Sequence, residues 1–178
     1  HTIFICIEPK DLGLAKIEDP GNVDEVILSV FPRERIVAPD DVRGEHPDLR
    51  TALKTDGWPT LGETRGKVLF LVLDEGGFRD KYLADHPLLE DRVMFARGGV
   101  GESWGAIIET GNTAEVALAL SDGYLVRSHT DSPQATDADN ENKSQVALDS
   151  GAHLLSSDIL QSDDEGYFFE VPGGTPSR

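Results

Sequence analysis

The stretch "RGKVLFLVLDEGG" (residues 65–77) decides the reading of the fold. Val68–Leu73 is an unbroken apolar run, the pattern of a parallel strand covered on both faces rather than of a sheet with one wet side. The run stops at Asp74, and Gly76-Gly77 turn the chain. Shorter runs of the same kind recur on either side: Thr2–Glu8 "TIFICIE", Arg92–Ala96 "RVMFA", Tyr124–Arg127 within "YLVRSH", and His153–Ser156 within "HLLSSD". "GAIIE" (105–109) is a further short extended piece. Between these runs lie helical patterns. "GNVDEVILSVF" (21–31) has Asn22 as its cap, acidic residues in the first turn, and Val23, Val26, Ile27 and Val30 on one face. "DLRTALKTDG" (48–57) closes at Gly57, "FRDKYLADHP" (78–87) stops before Pro87, and "TAEVALALSDG" (113–123) runs from a Thr113 cap to Gly123. "DADNENKSQVALDSG" (137–151) is a polar loop running into a helix that exits at Gly151. "ERIVAPDDVRGEHP" (34–47) is a loop with a short extended piece.

Strand, loop and helix in repetition predict an α/β fold with a parallel sheet and crossover helices. Each apolar run ends on a polar residue: Glu8 with Lys10, Asp74, Arg97, Arg127 with His129, and Asp158. That is the pattern of a (β/α) barrel, whose chemistry gathers at the C-terminal ends of its strands. About five strands are too few to close such a barrel of eight. The expectation is therefore that residues 1–178 are the C-terminal portion of one catalytic barrel domain, with 161–178 an irregular extension. In that tail "YFFEV" (167–171) reads as an added edge strand or a plug.

Composition narrows the function classes. The formal net charge of −17 argues against nucleic-acid binding and against electrostatic docking on anionic lipid. No stretch reaches the roughly 18 apolar residues of a membrane span. Cys6 is the one cysteine, so there is no internal disulfide and no zinc pattern; its place in an apolar run reads as a small buried hydrophobe. The glycines at 98–101 lack both Rossmann spacing and the lysine of a P-loop.

Four stretches together carry a resemblance: "FICIEPK" (4–10), "IVAPDDVRG" (36–44), "DGWPTLGETRGKVLFLVLDEGG" (56–77), and "GYLVRSHTDSP" with "ALDSGAHLLSSDI" (123–133 and 147–159). The chain resembles the calcium-dependent phosphoinositide phospholipase C family of bacteria and fungi, across nearly its whole length and in the expected order. The resemblance implies a phosphodiesterase TIM-like barrel and a calcium cofactor. It implies a phospholipid or other phosphodiester substrate, at most transient contact with a membrane surface, and secretion. It also implies that the two histidines acting as general base and general acid belong to an earlier segment, the missing N-terminal half of the barrel. This piece alone is then expected to be inactive.

The residues themselves leave two readings for each candidate. Glu8 is either a charge paired with Lys10 or an arginine at a strand end, or, as the resemblance implies, a calcium ligand. Lys10 either pairs with Glu8 or Asp11 or meets the substrate phosphate as a point charge. Arg127 either bridges to Asp131 or Asp158, or forks onto phosphate or inositol hydroxyls. Asp74 and Asp158 are either turn caps or residues that orient Arg127 and bond the sugar ring. His129 stands where relatives often have a second arginine and reads as a rim residue. Trp104 is either a packed tryptophan or a rim aromatic. His1, His46, His86 and His153 form no catalytic set. The implied activity is a phospholipase C reaction through a cyclic inositol phosphate. Glycerophosphodiester hydrolysis on the same scaffold, or a non-catalytic barrel that binds a polyol or glycan, are the alternatives.

Overall fold

In the computed structural model, which describes residues 2–9, 19–159, 166–171 and 173, Val68–Val72 forms strand β2 and is buried along its whole length. Strand β1, Ile3–Ile7, pairs with it in parallel from Ile3↔Val68 to Ile7↔Val72. Strand β3, Met94–Ala96, pairs on the other side from Phe70↔Met94 to Val72↔Ala96, also in parallel. Ile36 bridges Val68 in parallel as well, and Val37 donates its N–H to the Val68 carbonyl. The extended piece in the 34–47 loop thus fills backbone valences of β2 that β3 is too short to reach.

The chain divides into two compact units. The first comprises the described residues up to Ile108 together with Ser121–Tyr124. Its order is β1, α1 (Gly21–Val30), α2 (Pro39–Arg43), α3 (Leu49–Thr55), α4 (Leu61–Thr64), β2, α5 (Gly77–Ala84) and β3. Its core is built from β2, β3 and the helix faces that meet them, with Phe70, Leu71, Phe95, Leu49 and Tyr82 all but fully enclosed. Trp58 packs on Phe95 with ring centroids 5.3 Å apart and donates its indole N–H to the Gly123 carbonyl. Gly123 has φ +84°, and a Cβ there would lie 2.9 Å from the Leu53 carbonyl oxygen. Both the backbone conformation and the close approach require glycine.

A buried polar cluster ties α1, α5 and β3 together. The Tyr82 hydroxyl donates to Asp24 Oδ1 at 2.6 Å and accepts the Met94 N–H at 3.1 Å. The Arg92 guanidinium lies 4.3 Å from the Tyr82 ring centroid and 3.4 Å from Asp24 Oδ2. Burial pushes the Asp24 carboxyl above its ordinary pKa, against the opposing pull of Tyr82 and Arg92.

The second unit comprises Glu109–Leu120 and the described residues from Leu125 onward. The strand Ile107–Glu109 (β4) carries the chain from the first unit into it, and helix α6 (Thr113–Ser121) follows. Strands β5 (Leu125–His129) and β6 (Leu154–Ser156) pair in parallel from Arg127↔Leu154 to His129↔Ser156. The strand order of this sheet is β4-β5-β6, and Thr110 donates its N–H to the Arg127 carbonyl. Helix α7 (Asp137–Asp149) starts at a Thr136 cap. Its Asn140 accepts the Ser132 N–H and returns a bond to the Ser132 carbonyl, while Lys143 Nζ donates to the Asp131 carbonyl at 2.7 Å. These bonds fix the loop that leaves β5.

Several expectations are corrected. Strand β1 is not buried: Ile3 is 58% exposed and Cys6 is exposed, because among the described residues β1 is an edge strand with β2 on one side only. Helix α1 is not capped by Asn22: Pro20 is its N-cap residue, and the Gly21 N–H goes to Asp19 Oδ1 just before it. Asn112 Oδ1 accepts the Glu115 N–H, so Thr113 begins α6 rather than capping it. Residues 167–171 form no strand; the Tyr167 hydroxyl donates to the Thr130 carbonyl, and Phe168 and Val171 are exposed. "GAIIE" supplies a full sheet strand in β4, and β5 ends at His129 as the run "YLVRSH" does, with Ser128 and His129 paired to β6.

Candidate functional site

Parallel pairing fixes which end of each strand a residue occupies. In the first unit Leu73 donates its N–H to the Ile7 carbonyl, and Arg97 donates its own to the Val72 carbonyl. Glu8, Asp74 and Arg97 therefore share the C-terminal end of the sheet, while Lys67, whose carbonyl accepts the Ile3 N–H, marks the other end. Glu8 is exposed there. Asp74 Oδ2 accepts the N–H groups of Gly76 and Arg79 at 2.9 and 3.0 Å, so its carboxylate caps the start of α5. Arg97 pairs with Glu75 at 3.0 Å. Trp104 is packed: a Cβ on Gly98 would lie 3.1 Å from its ring, and the Arg79 guanidinium lies 5.7 Å from its centroid. Lys10 and His1 lie outside the described residues.

The second unit holds a charged cluster on its strand ends. Arg127 is tied on three sides. Its guanidinium pairs with the Glu109 carboxylate, donates to Ser156 Oγ at 2.6 Å, and donates to His129 Nε2 at 3.1 Å. Arg127 and Glu109 are only 12% and 13% exposed at their side chains, so the pair is largely withdrawn from water. The partner that Arg127 finds is thus Glu109 and neither Asp131 nor Asp158, because β4 is the strand next to β5. Asp131 is fully buried and spends Oδ1 on the Asp158 N–H and Oδ2 on the Thr130 hydroxyl. Asp158 is exposed and is held through its backbone by Asp131.

His129 is a member of this cluster rather than a bare rim residue. Residues 127 and 129 share one face of β5 by alternation, and His129 Nε2 lies 3.5 Å from Glu109 Oε1. Burial, then the Arg127 cation, hold the imidazole below its ordinary pKa; the Asp158 and Asp131 carboxylates pull the other way. A neutral ring with a free Nε2 lone pair is what the bond from Arg127 requires. Glu109 escaped the reading of the sequence, although "GAIIE" obeys the same rule of an apolar run ending on a charge.

The other described histidines have structural partners. His46 Nε2 meets Asp56 Oδ2 at 2.7 Å in a groove of about 600 Å³ that Trp58, Thr60 and Lys67 also line, near the Lys67 end of β2. His86 bonds the Glu90 carbonyl, and His153 Nδ1 accepts the Val126 N–H. Among the described residues no group of three or more His, Cys, Asp and Glu is placed to hold a metal ion. These residues alone do not fit a calcium ion, which takes six to eight oxygen ligands. No described helix is long and apolar enough to cross a membrane.

Comparison with known proteins bears on the fold and the family. A Ca2+-dependent phosphatidylinositol-specific phospholipase C from Streptomyces antibioticus is similar in structure, with a TM-score of 0.62 at 17% identity over 88% of this chain and 63% of that one. A calcium-dependent phosphoinositol-specific phospholipase C from a Gram-negative Pseudomonas sp. matches with a TM-score of 0.57 at 15% identity, over 88% of this chain and 57% of that one. The chain thus spans less than two thirds of the length of either. At such identities the likeness carries the fold: parallel strands with intervening helices, part of a phospholipase C-like (β/α) barrel. No curated protein matches the chain in sequence. The model of the family described as Ca2+-dependent phosphoinositide phospholipase C matches residues 15–178. With nearly the whole sequence covered by that match and the fold in agreement, the chain belongs to the calcium-dependent phosphoinositide phospholipase C family.

Proposed function

We propose that this chain is part of a phosphoric diester hydrolase that cleaves phosphoinositide-type lipids by the phospholipase C reaction. In that reaction the inositol 2-hydroxyl attacks phosphorus, the bond to the diacylglycerol oxygen breaks, and that oxygen leaves with a proton; the cyclic phosphate is then opened by water. The observation that supports the reading is the Arg127–Glu109–His129–Ser156 cluster on parallel strand ends, in a chain of this family. Arg127, fixed in orientation by Glu109 and Ser156, presents its remaining N–H groups to the phosphate or to inositol hydroxyls. A cation already oriented costs little reorganisation as charge develops on the phosphoryl oxygens. Glu8 is one carboxylate of a calcium site whose other ligands lie beyond the described residues. Asp158, exposed past β6, bonds the headgroup. Asp74 acts at one remove, by fixing the loop past β2. Lys10 supplies a point charge to the phosphate. His46, His86 and His153 are engaged elsewhere, and the acid and base come from an earlier barrel segment. The protein acts outside the cell and touches the membrane surface only in passing.

The test is calcium titration together with cleavage of an inositol phospholipid by the intact protein. Arg127→Lys should leave calcium binding unchanged and lower turnover by about tenfold to a hundredfold, since a lysine cannot fork onto a phosphate. Glu8→Gln should weaken calcium binding and turnover together, because the amide keeps the shape and loses the anionic oxygen. Turnover by Arg127→Lys at the wild-type level would remove Arg127 from the reaction.

A further inference from the structure

Glu109 has two cationic suitors. Its Oε2 pairs with Arg127, and its Oε1 lies 3.5 Å from His129 Nε2. That same Nε2 accepts a hydrogen bond from Arg127 Nη1 at 3.1 Å. The two contacts of His129 exclude each other. A neutral imidazole accepts from Arg127 and gives Glu109 nothing at Nε2; a protonated one donates to Glu109 and has no lone pair for Arg127. We propose that Glu109 and His129 are positioning residues that form a proton-dependent latch on Arg127, so that the grip on an anionic phosphodiester tightens as His129 takes up a proton.

Charge and geometry both run in this direction. With His129 neutral, Arg127 and Glu109 cancel, and the guanidinium donates N–H groups to His129 and Ser156 beside its ion pair with Glu109. Protonation of His129 gives the trio one net positive charge. It also repels Arg127 from the imidazole and releases the Nη1 N–H to an incoming oxygen. The other charges that face His129 are Asp158 past β6, Asp131 on the loop after β5, and Lys143 on α7. Asp131 holds its place in both states, because its two carboxylate oxygens are committed to the Asp158 N–H and the Thr130 hydroxyl. The desolvation that holds the imidazole below its ordinary pKa places the change on the acid side of neutrality.

The inference rests on Arg127 gripping the substrate, and the experiment separates the two ideas. KM and kcat of the intact protein for an inositol phospholipid are measured from pH 5 to 8, beside NMR titration of the His129 imidazole and the Arg127 guanidinium resonances. KM of the wild type should fall by about threefold to tenfold as pH drops through the His129 titration, as one added charge a few ångströms from the phosphate would bring about. His129→Gln, which can accept from Arg127 but never charges, should flatten that KM profile. Glu109→Gln, which leaves the Arg127 charge uncancelled, should lower KM at pH 8 toward its acid value and flatten the profile, and Glu109→Asp should keep the pH dependence. The Arg127 resonances should shift with the midpoint of His129. A KM profile unchanged by His129→Gln, or Arg127 resonances that ignore His129, would overturn the latch. If no phosphodiester is cleaved at all, the functional reading fails, and the NMR titration still decides whether the latch exists.

Discussion

Tyr82→Phe removes one oxygen atom from the interior, and the structure sets what that costs. The ring is fully buried, and phenylalanine fills the same volume, so no large cavity opens and the Arg92 stacking at 4.3 Å survives. What is lost is a hydrogen bond to the Asp24 carboxyl at 2.6 Å and the acceptor for the Met94 N–H at 3.1 Å. A bond to a charged group contributes about 1.5–3 kcal/mol, and a buried N–H left without an acceptor costs about 1–3 kcal/mol. The two share one oxygen and one environment, so they do not add in full, and a loss of about 3 kcal/mol at pH 7 is expected. Loss of the Tyr82 hydroxyl removes one influence that lowers the Asp24 pKa, which burial already raises. Asp24 in the variant therefore binds its proton more readily, and a neutral carboxyl needs the missing donor less. The cost should shrink between pH 7 and pH 5. The assay is urea denaturation of the intact protein followed by tryptophan fluorescence at both pH values. A loss below about 1 kcal/mol at pH 7, or one that grows on acidification, would refute the reasoning.

Gly123→Ala should destabilise by about 2 kcal/mol or more, since a positive φ costs an L residue about 1–2 kcal/mol and the new methyl meets the Leu53 carbonyl oxygen; an unchanged urea midpoint would refute it. His129 and His153 are both held below the ordinary pKa of 6.5, mainly by burial. Below 6.5 the unfolded chain takes up protons that these native rings refuse, so their contribution falls as pH drops from about 6.5 toward their folded values. His153→Gln should flatten that slope in a series of urea midpoints. Glu109→Ala, which leaves a largely enclosed guanidinium without its carboxylate, should cost about 3–5 kcal/mol. The double variant Glu109→Leu with Arg127→Met should regain most of that stability while leaving the protein without turnover.

How far the sequence carries the fold depends on where the information lies. The apolar run 68–73 contains its own answer, because a parallel strand buried on both faces needs no alternation, and β2 follows directly. The helix starts were harder. Asp19 and Asn22 both have side chains that can cap, and only the backbone path settles that Asp19 accepts the Gly21 N–H. The short helix α4 hides in "PTLGET" although its capping box, Thr60 with Glu63, is written in the sequence. The burial of Cys6 could not be read locally. An apolar β1 is enclosed only if a neighbour covers it, and among the described residues β2 alone adjoins it.

The site follows the same division. That Arg127 at the end of an apolar run needs an anionic partner was legible from one residue, because a cation closing such a run is costly unless something answers it. Which residue answers it was not legible. Glu109 stands eighteen positions earlier and a helix away, and becomes a neighbour only through the order β4-β5-β6. Yet the demand itself was predictable. A guanidinium that is only 12% exposed must find an anion, and on a sheet the nearest places to find one are the ends of the adjoining strands. Asp131 is closer in sequence but is consumed by backbone and hydroxyl donors, and Asp158, just past β6, is exposed. Once those two are excluded, the acidic residue that ends a strand beside β5 among the described residues is the one at the close of "GAIIE". The pairing that stabilises Arg127 is therefore also what limits its freedom to bind. That tension is why His129, able to compete for the same carboxylate, matters to the site out of proportion to its exposure.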